Sequence, residues 1–306
     1  MKPKILIIGS GQMAFEYVKA ISNHFNYEIS ILTKSKARGS KFIDNFNLNK
    51  HYLSINDVDL SKYIKIIVCT SEKNFLTIAK HIANFNGEVL FEKPLGLSLK
   101  ESIEIAELNR DKFFVALNRR FYEGINELKS FIGKRVPIHG IIMDQQSIYD
   151  WNPRRLQEID NQLVYSNSIH ILDLTLFILN EAIDIKTLNV KKSNNTNKNI
   201  SKYNIQISNR HSSSIDYIRH NNIPGKWQIY LFYKNFIVHF ENLENFKVLD
   251  SDRKVLLSSP NYHGTVKQGL KPMLNLFLSQ NKIDQKSLPL AIQCIDTFKI
   301  LNKIKK

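Results

Sequence analysis

Lys4-Ile5-Leu6-Ile7-Ile8-Gly9-Ser10-Gly11-Gln12-Met13-Ala14 is the stretch that decides how the chain begins to fold. Lys4 to Ile8 is an apolar run that stops at a glycine, the pattern of a strand buried in a parallel sheet. Past Gly11 the apolar residues Ala14, Phe15, Val18, Ile21 and Phe25 recur at helical spacing. A Gly-x-Gly-x-x-Ala turn therefore lies between a strand and a helix, the context that a dinucleotide-binding fingerprint requires. Gly9 permits the tight turn. Gly11 lets the backbone approach a pyrophosphate, and Ala14 is small enough for the helix to lie close on the strand. The free N–H groups of the helix N-terminus, around Ser10, Gln12 and Met13, then face the phosphates.

Reading onward, Glu28 to Leu32 predicts the second strand. Where an acidic residue would receive the ribose hydroxyls of NAD, the chain reads Thr33-Lys34-Ser35-Lys36-Ala37-Arg38. Hydroxyls and cations suit a 2′-phosphate, so Thr33, Lys34, Ser35 and Arg38 point to NADP(H) over NAD(H). The competing reading is a solvated basic loop. Strands are expected over Lys50–Ile55, Ile64–Thr70, Val89–Glu92 and Phe113–Leu117, with helices over Phe75–Phe85 and Leu99–Leu108. That alternation implies a doubly wound parallel sheet. Its ligands lie at strand C-termini, where Thr70-Ser71, Glu92-Lys93-Pro94 and Asn118-Arg119-Arg120 fall.

The chain has 306 residues, 43% hydrophobic and 23% charged, enough for two domains with cores. No apolar stretch approaches the roughly 20 residues that cross a bilayer, and the N-terminus lacks a signal-peptide layout. Cys69 and Cys294 are the only cysteines, which argues against a disulfide framework. These features read as a cytoplasmic protein with no membrane partner. The net charge of +15 raises nucleic-acid binding as a possibility. However, the lysines are scattered, dense only at Lys34–Lys41 and Lys303–Lys306, and no nucleic-acid-binding motif accompanies them. The charge would still attract an anionic cofactor or substrate. The histidines show no metal-ligand spacing, so no catalytic metal is expected.

With Gly9 to Ala14, Val68-Cys69-Thr70, Glu92-Lys93-Pro94-Leu95, Asn118-Arg119-Arg120-Phe121 and Ile169-His170-Ile171-Leu172-Asp173-Leu174, the chain resembles the glucose-fructose oxidoreductase, inositol dehydrogenase and rhizopine-catabolism family (Gfo/Idh/MocA). The resemblance implies an N-terminal Rossmann domain, here residues 1–118. An α+β domain on a large, mostly antiparallel, open-faced sheet follows, here residues 119–306, whose exposed face joins subunits into a homo-oligomer. Strand-like runs at Ile138–Ser147, Tyr203–Ser208, Ile215–Arg219, Trp227–Tyr233 and Phe236–Glu241 suit such a sheet. Lys191–Lys202 reads as a mobile loop. Leu288–Ile304 reads as a helix of the kind that relatives pack back on the first domain.

The resemblance also implies a mechanism. The lysine matching Lys93 contacts the substrate hydroxyl and shares in proton transfer, and His170 is a second acid/base candidate. Relatives have a cis bond after this lysine, which would aim its side chain. Glu92, Thr70, Ser71 and Asn118 would flank the cofactor. Many sugar dehydrogenases of the family place an Asp four residues before the histidine; this chain has Ser166. The charge that would support an imidazolium is thereby lost, which leaves more of the work to Lys93. Asn167 sits beside it as a substrate ligand. Phe75 stands where relatives often have His, a change that would tune the cofactor pocket. Asp173 reads as structural.

Tyr149-Asp150-Trp151-Asn152-Pro153-Arg154-Arg155 is the expected specificity segment. Its aromatics could receive a sugar ring and its arginines, with Arg120, an anionic group; a turn with solvated arginines is the alternative. Together these readings describe an NADP(H)-preferring oxidoreductase acting on a sugar or nucleotide sugar. The rival is a family member that binds the dinucleotide as a sensor or scaffold without turnover.

Overall fold

The structure, a computed structural model, describes residues 2–146, 167–179, 184, 188–192, 200–206, 213–221, 227–279 and 283–305. Its helices are α1 (Gln12–His24), α2 (Lys36–Phe46), α3 (Phe75–His81), α4 (Leu99–Leu108), α5 (Ile125–Ile132), α6 (Ile169–Leu179), α7 (Leu270–Leu278) and α8 (Ala291–Lys305). Two compact units are present: Met1–Phe121 with Gly264–Ile295, and Tyr122–His263 with Asp296–Lys306.

The first unit is built on six strands: β1 (Lys4–Ile8), β2 (Glu28–Leu32), β3 (Lys50–Tyr52), β4 (Lys65–Val68), β5 (Glu88–Glu92) and β6 (Phe113–Ala116). Their order is β3-β2-β1-β4-β5-β6, and every pair is parallel. The order reverses between β1 and β4, so a crevice opens at the C-terminal ends of those strands. Ile5 to Ile7, Ile66 to Val68 and Val89 to Phe91 have no exposed surface, as strands covered on both faces require. Phe75, Phe91 and Phe113 pack ring against ring in this core, at centroid distances of 5.7 and 5.0 Å. A separate apolar cluster joins β1 and α1 to Leu270, Met273, Leu274 and Phe277 of α7.

The second unit holds an eight-stranded sheet. Its strands are β7 (His139–Gln146), β8 (Asn189–Lys192), β9 (Ile200–Gln206), β10 (Ser214–Asn221), β11 (Gln228–Phe232), β12 (Phe236–Phe240), β13 (Phe246–Asp250) and β14 (Val255–Ser258). They run in the order β14-β13-β12-β11-β7-β10-β9-β8. Among the described strands only β7 and β10 pair in parallel; their other pairs are antiparallel. Burial alternates along β11 and β12, so one face is covered and the other open. Gly124, at the start of α5, lies against the Phe246 ring on the covered face.

Several elements differ from the sequence expectations. The strand expected over Lys50–Ile55 stops at Tyr52, because Ser54 caps a 3-10 turn, Ile55–Asp57. The helix expected to reach Phe85 ends at His81. The basic stretch after β2 is a loop only as far as Ser35, whose hydroxyl caps α2. Lys191–Lys202 has strand at both ends, where β8 pairs with β9; residues 193–199 lie outside the described residues.

Candidate active site

Gly9 closes the crevice from beneath. Its N–H donates to the Leu32 carbonyl at 3.0 Å, its φ is +138°, and an added Cβ would sit 2.5 Å from the Cys69 carbonyl oxygen. Any side chain here collides with the end of β4. Gly11 differs: it caps α1 in an extended conformation, and a Cβ there would meet nothing within 4 Å. The open space lies at the N-terminus of α1, where a phosphate would approach.

Beside this turn is a cavity of about 510 Å³. It gathers Gly9, Ser10, Thr33, Lys34, Ser35, Arg38 and Thr70, all expected from the sequence as cofactor contacts. Thr33 is fixed through its hydroxyl, 2.8 Å from Ser10 Oγ, and its carbonyl, 3.0 Å from His51 Nε2. Ser35 Oγ accepts the Arg38 N–H at 3.4 Å, which starts α2 with two cations at the cavity rim. Among the described residues no carboxylate lines the cavity. Leu53 to Asn56, Asn74, Thr77, Ile78 and His81 complete its wall; these residues carry no motif and were not anticipated.

The remaining expected cofactor residues lie outside that cavity. Gln12 bonds Glu16 of its own helix at 3.2 Å. Ser71 precedes a 3-10 turn, Glu72–Asn74. Asn118 is buried and donates to the Gln268 carbonyl at 3.1 Å.

Glu92 and Lys93 stand at the end of β5. The Glu92 carboxylate is buried; it accepts the Tyr17 hydroxyl at 2.6 Å on one oxygen and the Lys93 N–H at 3.2 Å on the other. Burial raises its pKa, while the Lys93 charge, the Tyr17 hydrogen bond and the Lys267 charge oppose that rise. The same burial and the adjoining carboxylate push the Tyr17 hydroxyl and the Cys69 thiol well up, so Cys69 is an inert core thiol. Lys93 keeps some exposed surface, yet protein atoms surround its ammonium, and desolvation lowers its pKa to about 8. Glu92 works against that fall, and the charges of Arg119 and Lys267 add to it. The Lys93-Pro94 bond is cis.

In the second unit His170 is buried in the first turn of α6, its ring 6.3 Å from that of Trp227. Just before it, Ser168 Oγ donates to Asp144 at 2.5 Å, and the Tyr217 hydroxyl donates to the same oxygen. This buried cluster was not anticipated; Asp144 and Tyr217 reveal themselves only through the parallel β7–β10 register. Asn167 is half-buried and Asp173 buried. Arg120, in a 3-10 turn of the first unit, reaches the Lys286 carbonyl at 3.5 Å. Tyr149, Trp151, Arg154, Arg155 and Ser166 lie outside the described residues. Among the described residues no cluster of His, Cys, Asp and Glu could hold a metal. No described helix is long and apolar enough to cross a membrane.

Known proteins share this architecture. Over their full lengths, solved structures superpose on both units. UDP-N-acetylglucosamine 3-dehydrogenase GnnA from Acidithiobacillus ferrooxidans does so with a TM-score of 0.75 at 12% identity, covering 99% of this chain and 96% of that one. An oxidoreductase from Agrobacterium radiobacter, in complex with NAD⁺, L-tartaric acid and magnesium, gives 0.77 at 13% identity, covering 99% and 95%. The dehydrogenase MviM from Clostridium difficile gives 0.75 at 21% identity, covering 99% of each chain. At these identities the likeness is one of fold. No curated protein matches the sequence. Residues 3–116 match the Gfo/Idh/MocA family, described as an oxidoreductase family with an NAD-binding Rossmann fold. That match spans the six strands of the first unit and the fingerprint they carry, so residues 3–116 form an NAD-binding Rossmann fold of the kind described for the Gfo/Idh/MocA oxidoreductase family.

Proposed function

We propose that the chain transfers a hydride between NADP(H) and a hydroxyl-bearing carbon of a sugar derivative, with Lys93 as its main acid/base. The observation that carries this reading is an ammonium at the end of β5 whose pKa lies near 8, close enough to neutrality to exchange protons. Bound nicotinamide supplies the hydride acceptor. In the oxidative direction neutral Lys93 takes the hydroxyl proton as the hydride leaves the same carbon; in reduction its ammonium returns that proton to the new alkoxide. Charged Lys93 also stabilises developing negative charge on that oxygen. His170 is assigned the partner role in substrate binding and proton transfer, with Asn167 beside it.

The preference for NADP(H) rests on the cavity wall: Thr33, Ser35, Lys34 and Arg38, and no carboxylate. Those groups suit a 2′-phosphate, and the carboxylate that would receive both free ribose hydroxyls is not among them. An anionic substrate, such as a nucleotide sugar or sugar acid, agrees with the net charge of +15; GnnA, of the same fold, acts on such a nucleotide sugar. A homo-oligomer formed through the open face of the second sheet completes the reading.

Titration with NADPH and NADH tests the cofactor assignment, and a sugar-nucleotide panel then tests the substrate. Tighter NADPH binding, with turnover lost in Lys93→Ala while cofactor binding remains, is the expected result. Cofactor binding without turnover on any panel member, and no effect of Lys93→Ala, would favour a sensor or scaffold.

A further inference from the structure

Residues 264–268 rejoin the first unit long after its last strand, and side chains of the Rossmann elements hold them there. Lys19 of α1 donates to the Thr265 carbonyl at 2.9 Å. Asn118, just past β6, donates to the Gln268 carbonyl at 3.1 Å. Between these anchors Val266 is buried in the core that β1, α1 and α7 share. Lys267 is exposed, and its ammonium lies 3.4 Å from the sulfur of Met13, the second residue of α1.

That contact does not satisfy the charge. A thioether is a weak acceptor, and among the described residues it is the one hydrogen-bond partner of this ammonium. The Lys267 charge is felt at Glu92 and at Lys93, where the Arg119 charge also acts. The Lys93 and Lys267 charges thus both act on the buried Glu92 carboxylate, and Lys267 is the one placed against the fingerprint helix. A cation held at the N-terminus of that helix favours an anion there, and the helix directs its own N–H groups to the same place.

We infer that Lys267 is a ligand of the cofactor's pyrophosphate. It completes, from the far end of the chain, the phosphate cradle that Gly9 to Met13 begins. The fixed backbone around it presents the cation in place, so that a charge-assisted hydrogen bond forms with little ordering of the chain. The assignment rests on cofactor binding at the fingerprint and is indifferent to which sugar is the substrate. The same diphosphate chemistry could come from a nucleotide-sugar substrate, and the test separates the two sources.

The full chain is titrated calorimetrically with whichever of NADPH and NADH binds more tightly, and separately with adenosine, which lacks phosphate. Wild type, Lys267→Gln and Lys267→Arg are compared. The Gln variant should bind the dinucleotide about tenfold more weakly or worse, and adenosine as wild type does. The Arg variant should recover most of the loss, and added salt should narrow the difference. Unchanged dinucleotide affinity in Lys267→Gln overturns the assignment, and a raised KM for an anionic substrate alone would then move the residue to substrate binding. Equal loss of adenosine and dinucleotide also overturns it, since the segment would then be structural. A wild-type chain that binds neither dinucleotide removes the cofactor site itself, and this assignment with it.

Discussion

At the scale of single residues, the proposed chemistry turns on a lysine kept near its titration point. Desolvation lowers the Lys93 pKa to about 8, so the sign of its pH dependence is fixed. Oxidation needs the neutral amine: kcat/KM should rise with pH and level off above about 8. Reduction needs the ammonium, so its rate should fall over the same interval. Profiles flat through that range in both directions would exclude Lys93 as the acid/base. Lys93→Met should cost ~10²- to 10⁴-fold in turnover while dinucleotide binding persists. The neighbouring glycines separate folding from binding. Gly9→Ala meets both a positive φ and the Cys69 carbonyl, and should lower stability by about 2 kcal/mol or more. Gly11→Ala has room; its cost to stability should stay within about 1 kcal/mol, with the loss seen in dinucleotide affinity. Denaturant melts and cofactor titrations of the two variants check this; a reversed pattern would mean that Gly11 serves the fold and not the ligand.

At the scale of elements, what could be read in advance depended on whether local signals agreed with tertiary ones. Helix α4 was legible to its ends because Ser98 caps it, accepting the Glu101 N–H at 3.2 Å, while Glu101 turns back to the Leu97 N–H at 2.8 Å. This reciprocal capping is local and therefore visible in sequence. Ser98→Ala should cost about 1 kcal/mol in urea unfolding; no measurable change would mean that packing alone holds α4. Helix α7 escaped notice because Pro272 interrupts its pattern, although proline is tolerated within a first turn. Strand β14 escaped for another reason: Val255 and Leu256 are exposed at the sheet edge, so it carries no alternation of burial. The Asp144–Ser168–Tyr217 cluster joins β7, the start of α6 and β10, and no spacing in the sequence brings those residues together. Tyr217→Phe should remove a donor from the buried Asp144 carboxylate and cost about 1–3 kcal/mol.

At the scale of the whole molecule, the two sheets present different problems of legibility and of exposure. The cofactor crevice was readable because its fingerprint is contiguous, whereas Leu53 to Asn56, Asn74, Thr77, Ile78 and His81 are gathered only by strand order, and Lys267 comes to the fingerprint helix only by the return of residues 264–268. The second sheet could be expected from alternation and family resemblance, and its open face poses the last question. Ile141 of β7, Tyr230 and Phe232 of β11, Ile237 of β12 and Leu249 of β13 occupy the partly exposed positions of adjoining strands. Tyr230 stacks on His239 at 4.2 Å and lies 6.2 Å from the Phe232 ring, which makes one continuous aromatic and aliphatic surface. A patch of this kind on a sheet face favours association, and a second copy of the same face can stack on it at the ordinary spacing of packed sheets, about 10 Å. The Tyr230→Lys, Phe232→Lys double variant sets like charges against each other in such a pair. Both side chains lie on the open face, so the buried core is left intact. Sedimentation at micromolar protein should show a dimer or larger species for wild type and a monomer for the variant, with similar urea midpoints for the isolated fold. A wild-type chain that sediments as a monomer would leave this face without the proposed role.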